Sequence, residues 1–473
     1  MNNCTYQKPK EKMEIERISE SFIKPSSPTP IQLKTYNICL IDQFLMYGVD
    51  IPLLFFYSIN EDSISESSHL LKQSLSETLT HYYPLAGRIK DHLSVDCNDE
   101  GVYYAEARAN IRLSEYFSRS DFIVLMDSFM PREVSCRESS PGSFVVTIQV
   151  TTFACGSIAI GLFCSHMVMD AASLTSFIKA WAASTLSNPN PNTKEAITDT
   201  PNFDGAAIFP HYDAFPREAT MSSFDGPFLK PGKLASRSFV FDESSLSLLK
   251  AQAINSRVEN PTRIEAVTSF LFECISEILT EKSGISKPFA FTYLVSWKRK
   301  VIPRLPENLF GNFIWMASGL SPPEETKLSS LVCKVREAIW KINSDFVKDN
   351  IQSDGAFSKL AKTIKETRKE FTSSEFPNGV NFVMVSSLCN LGLYEVDFGW
   401  GKPVWVTCVD VPIDDSSNVL LNSMVIMDSR IGKGIEAWVF MDEQELRLLE
   451  KYEKLIALAS VNPSPLKIRP ASL

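Results

Sequence analysis

One histidine and one aspartate stand four positions apart where a predicted strand gives way to a predicted helix, at His166 and Asp170. Residues 143–164 are rich in Val, Ile, Thr and Phe, which favours one or two strands joined near Gly156. Apolar residues recur at helical spacing from Leu174 onward, which predicts an amphipathic helix. Strand ends commonly open onto clefts, so an imidazole here is a candidate for proton transfer near neutral pH.

Each of the two residues also has a structural interpretation. A single histidine at a strand end is more often a satisfied core or loop residue than a catalyst. An aspartate directly before a helical segment is a favoured N-cap, because its carboxylate accepts hydrogen bonds from the first free N–H groups. The pair alone therefore leaves both interpretations open for His166 and Asp170.

Composition and charge indicate an ordinary globular protein. The chain has 473 residues, which is enough for one very large domain or two large ones. Its residues are 44% apolar and 22% charged, as in an ordinary globular protein. A net charge of −9 argues against nucleic acid or an anionic membrane as the main partner. We therefore expect a small-molecule substrate, with neither nucleic acid nor a membrane as partner.

Cysteine and histidine usage points to the cytoplasm and away from metals. The ten cysteines form no Cys-x-x-Cys pair, and residues 1–12 are polar and charged without an apolar core. No segment approaches the ~18 consecutive apolar residues of a membrane span. Five histidines without a spaced Cys/His cluster predict no metal site, and no glycine-rich phosphate loop is present. We expect a cytoplasmic protein with reduced thiols and no permanently bound cofactor.

Strands and helices alternate in both halves of the chain, which predicts an α/β or mixed α+β protein of two domains. The segment 187–232 is rich in Pro, Asn, Ser and Asp, so we interpret it as a crossover linker between domains at 1–186 and 233–473. The predicted helices are 65–83, 171–185, 243–253, 262–279, 325–348, 356–371 and 442–459. The predicted strands are 14–23, 51–57, 88–104 around a turn, 143–164, 235–241, 289–297, 309–320, 381–388, 403–411, 419–427 and 435–440.

A second motif, Asp397-Phe398-Gly399-Trp400-Gly401, lies more than 200 residues after His166 and Asp170. Together, His-x-x-x-Asp and Asp-Phe-Gly-Trp-Gly in this order resemble the plant BAHD acyltransferases, which transfer acyl groups from acyl-CoA. Weaker agreements extend along the chain: 26–30, 40–43, 83–88, 95–99 and 434–438. The chain looks most similar to the branch that contains vinorine synthase and salutaridinol acetyltransferase, which acetylates alkaloids.

The resemblance implies two chloramphenicol-acetyltransferase-like domains with a central tunnel at their interface. Acyl-CoA would enter from one face and the acceptor from the other, with His166 inside the tunnel. The implied activity is transfer of acetyl from acetyl-CoA to an alkaloid hydroxyl by a monomeric enzyme. His166 would be the general base of a direct transfer in a ternary complex, since no activated serine or cysteine motif is present.

The resemblance also assigns structural roles near the site. Asp170 would point away from the reacting atoms and form an ion pair with an arginine of the second domain. Lys298 occupies that arginine position here, so the expected ion pair would be monodentate unless Arg299 substitutes. The loop of Asp397, Phe398, Gly399, Trp400 and Gly401 would be structural and lie on the CoA side.

Four further residues are candidates for the pocket. Cys164 lies two residues before His166 and would share its face of the strand. Ser386 and Ser387 could supply polar groups near the oxyanion. Leu388 stands where relatives carry tryptophan, and Asn390 stands where they carry arginine, so the acceptor pocket should be reshaped.

Two alternatives remain for the activity. The donor could be malonyl-CoA or another acyl-CoA, with an alkaloid or terpenoid alcohol as the acceptor. The changes at Lys298, Leu388 and Asn390 also leave open a relative that binds a metabolite without turnover.

Overall fold

The structure, a computed structural model, describes residues 12–44, 50–59, 64–131, 141–187, 200–213, 228–301, 303–352, 355–409, 419–430 and 432–466. These residues form a mixed α/β fold with two large sheets, eighteen strands and twelve α-helices. The strands are β1 (Ile15–Ile23), β2 (Thr35–Asn37), β3 (Asp50–Tyr57), β4 (Arg88–Ile89), β5 (Ser94–Asp96), β6 (Val102–Ala109), β7 (Val146–Phe153), β8 (Ile158–Ser165), β9 (Lys230–Pro231), β10 (Leu234–Phe241), β11 (Phe289–Ser296), β12 (Ile314–Ser321), β13 (Asn381–Ser387), β14 (Trp405–Thr407), β15 (Val419–Leu420), β16 (Ser423–Asp428), β17 (Ile435–Asp442) and β18 (Ser460–Val461). The helices are α1 (Leu40–Phe44), α2 (Ile64–His81), α3 (Leu113–Phe117), α4 (Ala171–Ser187), α5 (Gly205–Ile208), α6 (Glu243–Ala253), α7 (Arg263–Ser283), α8 (Leu328–Lys341), α9 (Ser344–Asn350), α10 (Ala356–Phe371), α11 (Glu443–Leu449) and α12 (Glu453–Ile456).

The first sheet has the strand order β1-β6-β7-β8-β3-β14, and every residue of β8 in it is buried. A strand that is buried on both faces must be covered by other parts of the chain on each side of its sheet. The rings of Tyr116 and Phe129 contact Phe56 of β3 on one face, at centroid distances of 5.6 and 5.4 Å. The next residue, Tyr57, points to the other face, where helices α2 and α4 pack together. The chain therefore continues beyond β8 from the centre of a sheet that is covered on both faces.

The second sheet has the order β12-β11-β13-β16-β17-β10-β18, with parallel pairs on either side of β13. Helix α7 covers it and shows why this segment is helical. Its cap Thr262 accepts a hydrogen bond from the Glu265 backbone N–H, and Glu265 accepts one from the Thr262 N–H. Gly284 ends the helix in the left-handed region at φ 68°, where a residue without a Cβ is favoured.

Two elements of the described chain, β14 and α1, pack against the half of the chain to which they do not belong in sequence. Strand β14 belongs to the second half, yet it pairs with β3 at the edge of the first sheet, with Trp405 opposite Phe56. Helix α1 belongs to the first half, yet Phe44 packs on Trp315 of β12 at 5.7 Å and on Phe357 of α10 at 5.6 Å. Pairing covers the open edge of β3, and burial of α1 removes its apolar side chains from water.

The crossover predicted at 187–232 is described only in part, because 188–199 and 214–227 lie outside the described residues. Within 200–213, the Phe310 N–H donates to the Asn202 carbonyl at 2.7 Å, and Phe209 packs on Trp297 at 5.2 Å. This part of the crossover therefore binds the second half of the chain beside residues 309–313.

The helices predicted at 243–253 and 356–371 agree with α6 and α10 at both ends. The helix predicted at 325–348 is instead two helices, α8 and α9, and the Asn343 side chain caps the second by accepting from the Phe346 N–H. The helix predicted at 442–459 also divides, into α11 and α12. Among the described residues, we find no helix with the length and apolar character needed to cross a bilayer.

Candidate active site

His166 is the first residue after β8, in a short turn that leads into α4. Its neighbours Ser165 and Met167 are buried, whereas His166 itself is partly exposed. Burial lowers the pKa of His166, and a backbone hydrogen bond, the charge of Asp170 and Asn312 act in the opposite direction. A lowered pKa keeps the imidazole neutral at neutral pH, which is the form that can accept a proton.

No carboxylate among the described residues forms a hydrogen bond with the imidazole. His166 Nδ1 is buried and has no hydrogen-bond partner among the described residues. Asp170 acts on the ring through its charge, but its own carboxylate oxygens are used elsewhere. The site therefore differs from a Ser-His-Asp arrangement, in which an aspartate holds the histidine tautomer.

Asp170 caps α4 and also ties that helix to the second half of the chain. One carboxylate oxygen accepts from the Ser173 N–H at 2.8 Å, and the other accepts from the Phe313 N–H at 3.0 Å. The Asp170 N–H donates to the Gly311 carbonyl at 3.2 Å, and the Ser173 hydroxyl donates to the same carbonyl at 2.8 Å. The N-cap interpretation and the second-domain contact expected for Asp170 thus occur together.

The ion pair expected between Asp170 and Lys298 is not formed in the structure. The Lys298 ammonium donates to the backbone carbonyls of Glu307 and of Leu309, the latter at 2.8 Å. Arg299 pairs with the Glu307 carboxylate at 3.3 Å, so it does not substitute. Backbone N–H groups already occupy both Asp170 oxygens, and the Lys298 ammonium lies 5.5 Å from the Phe313 ring centroid. The connection between domains is therefore made by the backbone and not by an ion pair.

Asn312 and Asp42 are site residues that the sequence analysis missed. The Asn312 side-chain nitrogen donates to the His166 carbonyl and to Asp42 Oδ1, at 2.8 Å in each case. Both residues are completely buried. The available signals were a polar residue inside the aromatic segment 309–313 and the agreement noted at 40–43, to which no role was assigned.

The four other pocket candidates are not joined to His166 by any described hydrogen bond. Cys164 is fully buried among core residues, and burial followed by the charge of Asp50 raises the pKa of its thiol well above the usual value. Ser386 and Ser387 end β13, where the Ser387 hydroxyl accepts from the Cys389 N–H at 3.4 Å. Leu388 lines a cavity of about 200 Å³. Their roles at the oxyanion or the acceptor remain predictions.

The loop at 397–401 is held by one carboxylate and two aromatic rings. Asp397 accepts from the Gly399 and Gly401 N–H groups at 2.8 and 2.9 Å, and both glycines have positive φ, at 106° and 101°. Phe398 packs on Trp181 of α4 at 4.9 Å and on Tyr57 of β3 at 5.8 Å. The ring of Trp400 stacks on Phe398 at 5.8 Å. The loop therefore fastens the second half of the chain to the first sheet, while its relation to CoA stays a prediction.

Within the described part of the chain, no group of three or more His, Cys, Asp and Glu side chains is arranged to hold a metal ion. The chemistry that these residues can support is proton transfer at one neutral histidine, in a turn anchored by Asp170 and Asn312 to groups on both halves of the chain.

Comparison with known proteins identifies the class. A family model described as the Transferase family matches residues 13–455. The chain belongs to this family, as the resemblance to BAHD acyltransferases predicted, and it is an acyltransferase.

Individual relatives cover nearly the whole chain. It is 40% identical to the epi-neemfruitin B 7-O-acetyltransferase of Melia azedarach and 40% identical to a limonoid 7-O-acetyltransferase of Citrus sinensis, in each case over 96% of this chain and 100% of the relative. It is 31% identical to the salutaridinol 7-O-acetyltransferase of Papaver somniferum, over 92% of this chain and 96% of that enzyme.

Solved structures give the same architecture. The crystal structure of vinorine synthase matches with a TM-score of 0.75 and 30% identity, over 94% of this chain and 99% of that one. F. sporotrichioides TRI101, solved with coenzyme A and T-2, matches with a TM-score of 0.67 over 90% of this chain and 99% of its own. At 16% identity this second likeness shows the fold alone.

Proposed function

We propose that this chain transfers an acetyl group from acetyl-CoA to a hydroxyl group of a polycyclic plant metabolite, with His166 as the general base. The observation that carries the proposal is the state of His166, whose pKa is lowered by burial and whose backbone is anchored to the second half of the chain. The relatives described above are O-acetyltransferases, which supports acetyl as the group that is transferred.

In the proposed reaction, a ring nitrogen of His166 accepts the proton of the acceptor hydroxyl as its oxygen attacks the thioester carbon. The carbonyl electron pair moves onto oxygen and gives a tetrahedral intermediate. Collapse of that intermediate breaks the C–S bond, and the thiolate of CoA takes the proton from the imidazolium. The products are an ester and free CoA, with His166 returned to its neutral form.

The arrangement of the two halves supports a ternary complex. We propose that acyl-CoA and the acceptor enter a tunnel between the two sheets from opposite faces, as the family resemblance implies. The loop of residues 397–401 packs on the first sheet through Phe398, which supports a shaping role on the CoA side. Direct transfer in such a complex needs no covalent acyl-enzyme.

The acceptor is either an alkaloid or a limonoid-type alcohol. An alkaloid hydroxyl follows from the resemblance to the alkaloid-acetylating branch. A limonoid alcohol is the second candidate, because identity is 40% to two limonoid-type 7-O-acetyltransferases and 31% to salutaridinol 7-O-acetyltransferase.

A matrix of acyl-CoA donors and alcohols, with release of free CoA thiol as the readout, tests the proposal. We expect turnover with acetyl-CoA and at least one limonoid or alkaloid alcohol. His166→Ala should lower kcat by roughly 10²–10⁴-fold because the proton acceptor is removed. His69→Ala is the matched control, since that histidine is exposed on α2 and should leave turnover unchanged. Turnover of His166→Ala near the wild-type rate would exclude the general-base role.

The same matrix tests the two alternatives. Faster CoA release from malonyl-CoA or a longer acyl-CoA than from acetyl-CoA would reassign the donor. Saturable binding of an alcohol without CoA release from any donor would favour a metabolite-binding relative without activity.

We also propose that the enzyme acts as a monomer in the cytoplasm. A net charge of −9 and ten cysteines without a paired spacing support this location and a reduced state. Light scattering on the purified protein tests the mass, and fractionation of cells that express the full chain tests the location. A dimeric mass or an organellar fraction would contradict the respective part.

A further inference from the structure

A buried carboxylate reaches the His166 turn through a single asparagine. Asp42 lies on α1 and accepts hydrogen bonds from the Cys39 N–H at 2.7 Å, the Asn312 N–H at 2.8 Å and the Asn312 side-chain nitrogen at 2.8 Å. The same side-chain nitrogen donates its other hydrogen to the His166 carbonyl at 2.8 Å. Three segments far apart in sequence thus meet in one chain of hydrogen bonds.

The carboxylate determines which way the Asn312 amide faces. A carboxylate and a carbonyl both accept hydrogen bonds, so only the NH₂ end of Asn312 can lie between Asp42 and the His166 carbonyl. The opposite orientation would direct the amide oxygen at both acceptors. Asn312 Oδ1 has no hydrogen-bond partner among the described residues, and the Asn312 side chain is one of the groups that act to raise the pKa of the His166 ring.

The His166 ring, in turn, depends on its backbone for position. His166 Nδ1 has no hydrogen-bond partner among the described residues, whereas the His166 carbonyl accepts from the Asn312 side chain at 2.8 Å. We propose that Asp42 is a positioning residue for the transfer reaction: it fixes the Asn312 amide, which holds the His166 carbonyl and so aims the imidazole. This inference rests on the proposed role of His166 as general base.

Stability alone does not explain an ionised carboxylate at this position. Asp42 is completely buried, and no basic side chain forms an ion pair with it in the part of the chain that the structure describes. Burial raises the pKa of Asp42 to about 6, and hydrogen bonds from Cys39 and Asn312 act in the opposite direction. Because the folded pKa lies above the ordinary 3.8, folding favours the protonated form, so stability falls as pH rises through about 6.

Asp42 and His166 are the two groups of this network whose charge is expected to change with pH. Burial raises the pKa of the Cys39 thiol and of the Tyr36 hydroxyl well above their usual values, so both stay neutral between pH 5 and 8. The Asp170 carboxylate is bound by the backbone N–H groups of Ser173 and Phe313. Protonation of Asp42 below about pH 6 turns one of its acceptor oxygens into a donor and weakens the hold on Asn312.

Asp42→Asn is the test variant, because it keeps the shape of the side chain and removes the charge. We expect kcat to fall by roughly 10-fold or more at pH 7.5, since misplacement of a catalytic group lowers the rate steeply. The KM values for acetyl-CoA and for the acceptor should change by less than about twofold, because neither substrate is expected to touch Asp42. The urea midpoint at pH 7.5 is measured beside kcat, because the new amide leaves one of the N–H groups bound by the Asp42 carboxylate without an acceptor.

The pH profile separates positioning from a merely structural role. The ratio of wild-type to Asp42→Asn kcat should shrink toward one as pH falls below about 6, where the wild-type carboxyl is itself protonated. Asn312→Ala should lower kcat to a similar degree, and the double variant should be no slower than the slower single variant. Glu436→Gln is the matched control: this buried carboxyl binds Ser238 and Trp405 instead and should leave kcat unchanged.

Several outcomes would overturn the inference. A folded Asp42→Asn variant with wild-type kcat and a wild-type pH profile removes the role of the carboxylate. If that variant does not fold, a wild-type kcat in Asn312→Ala has the same effect. Wild-type protein that releases no CoA with any alcohol overturns the proposed function and this inference together. Activity that requires His166 but not Asp42 or Asn312 overturns this inference alone.

Discussion

Replacing Asp170 by alanine tests whether the connection between the two halves is made by the backbone. The carboxylate holds two N–H groups, that of Ser173 in its own helix and that of Phe313 in the second half of the chain. Alanine removes both bonds and leaves a site that is 4% exposed in the wild-type protein. Water can therefore do little to replace the missing acceptor.

The expected loss can be built up from the two bonds. Removing an N-cap side chain costs about 1 kcal/mol. Leaving the Phe313 N–H buried and unsatisfied adds about 1–3 kcal/mol. Asp170→Ala should therefore lower the free energy of unfolding by about 2–4 kcal/mol. It should also lower kcat by roughly 100-fold, because His166 lies in the turn that this carboxylate ties down.

Urea unfolding and CoA-thiol release are the two assays, with Asp242→Ala as the matched control. Asp242 caps α6 by accepting from the Ser245 N–H at 2.8 Å. Asp242 is exposed, and this hydrogen bond lies entirely within the second half of the chain. We expect this variant to lose only the cap contribution of about 1 kcal/mol and to keep its kcat. The free energy of unfolding and the kcat of Asp170→Asn should lie between those of the wild-type protein and of Asp170→Ala, since the amide oxygen can replace one of the two carboxylate acceptors.

Equal losses of stability in Asp170→Ala and Asp242→Ala would refute the reasoning, as would an unchanged kcat in the former. A double-mutant cycle with Lys298→Met separates the backbone mechanism from an ion pair. Because the Lys298 ammonium binds carbonyls of Glu307 and Leu309, we expect a coupling energy with Asp170 below about 0.5 kcal/mol. A coupling of several kcal/mol would restore the ion pair expected from the resemblance.

Two further predictions concern pH and the loop at 397–401. The value of kcat/KM should rise with pH along an acid limb whose midpoint lies below the ordinary histidine pKa of 6.5, because burial lowers the pKa of His166 and the neutral imidazole is the proposed base; a midpoint above 6.5 would contradict this. Asp397→Ala should lower the free energy of unfolding by about 1–2 kcal/mol, because the Gly399 and Gly401 N–H groups lose their acceptor. That variant should raise the KM for acetyl-CoA with kcat nearly unchanged, and a lowered kcat with an unchanged KM would assign the loop to the reaction centre.

Local pattern was sufficient for much of the site. The change from strand to helical periodicity around 166–170 predicted the turn that carries His166, and an aspartate before apolar residues predicted the cap of α4. These features follow from residues within one or two turns of each other, so periodicity and capping preferences contain the information.

Contacts between distant residues needed the tertiary structure. Asp42 and Asn312 are 270 residues apart, and nothing in either local sequence specifies that one amide will join that carboxylate to the His166 carbonyl. The resemblance predicted Lys298 as the partner of the Asp170 carboxylate. In the structure, the Phe313 N–H donates to that carboxylate instead. Strand β14 likewise joins the sheet of the other half because the edge of β3 is open there.

The sequence by itself therefore predicted His166 as the candidate proton acceptor and determined the strand and the helix between which its turn lies. The tertiary structure decided what holds that turn in place: an amide oriented by Asp42 and a backbone N–H of Phe313. The physical reason is that hydrogen bonds to backbone groups depend on where two segments meet, and a backbone N–H is the same in almost every residue.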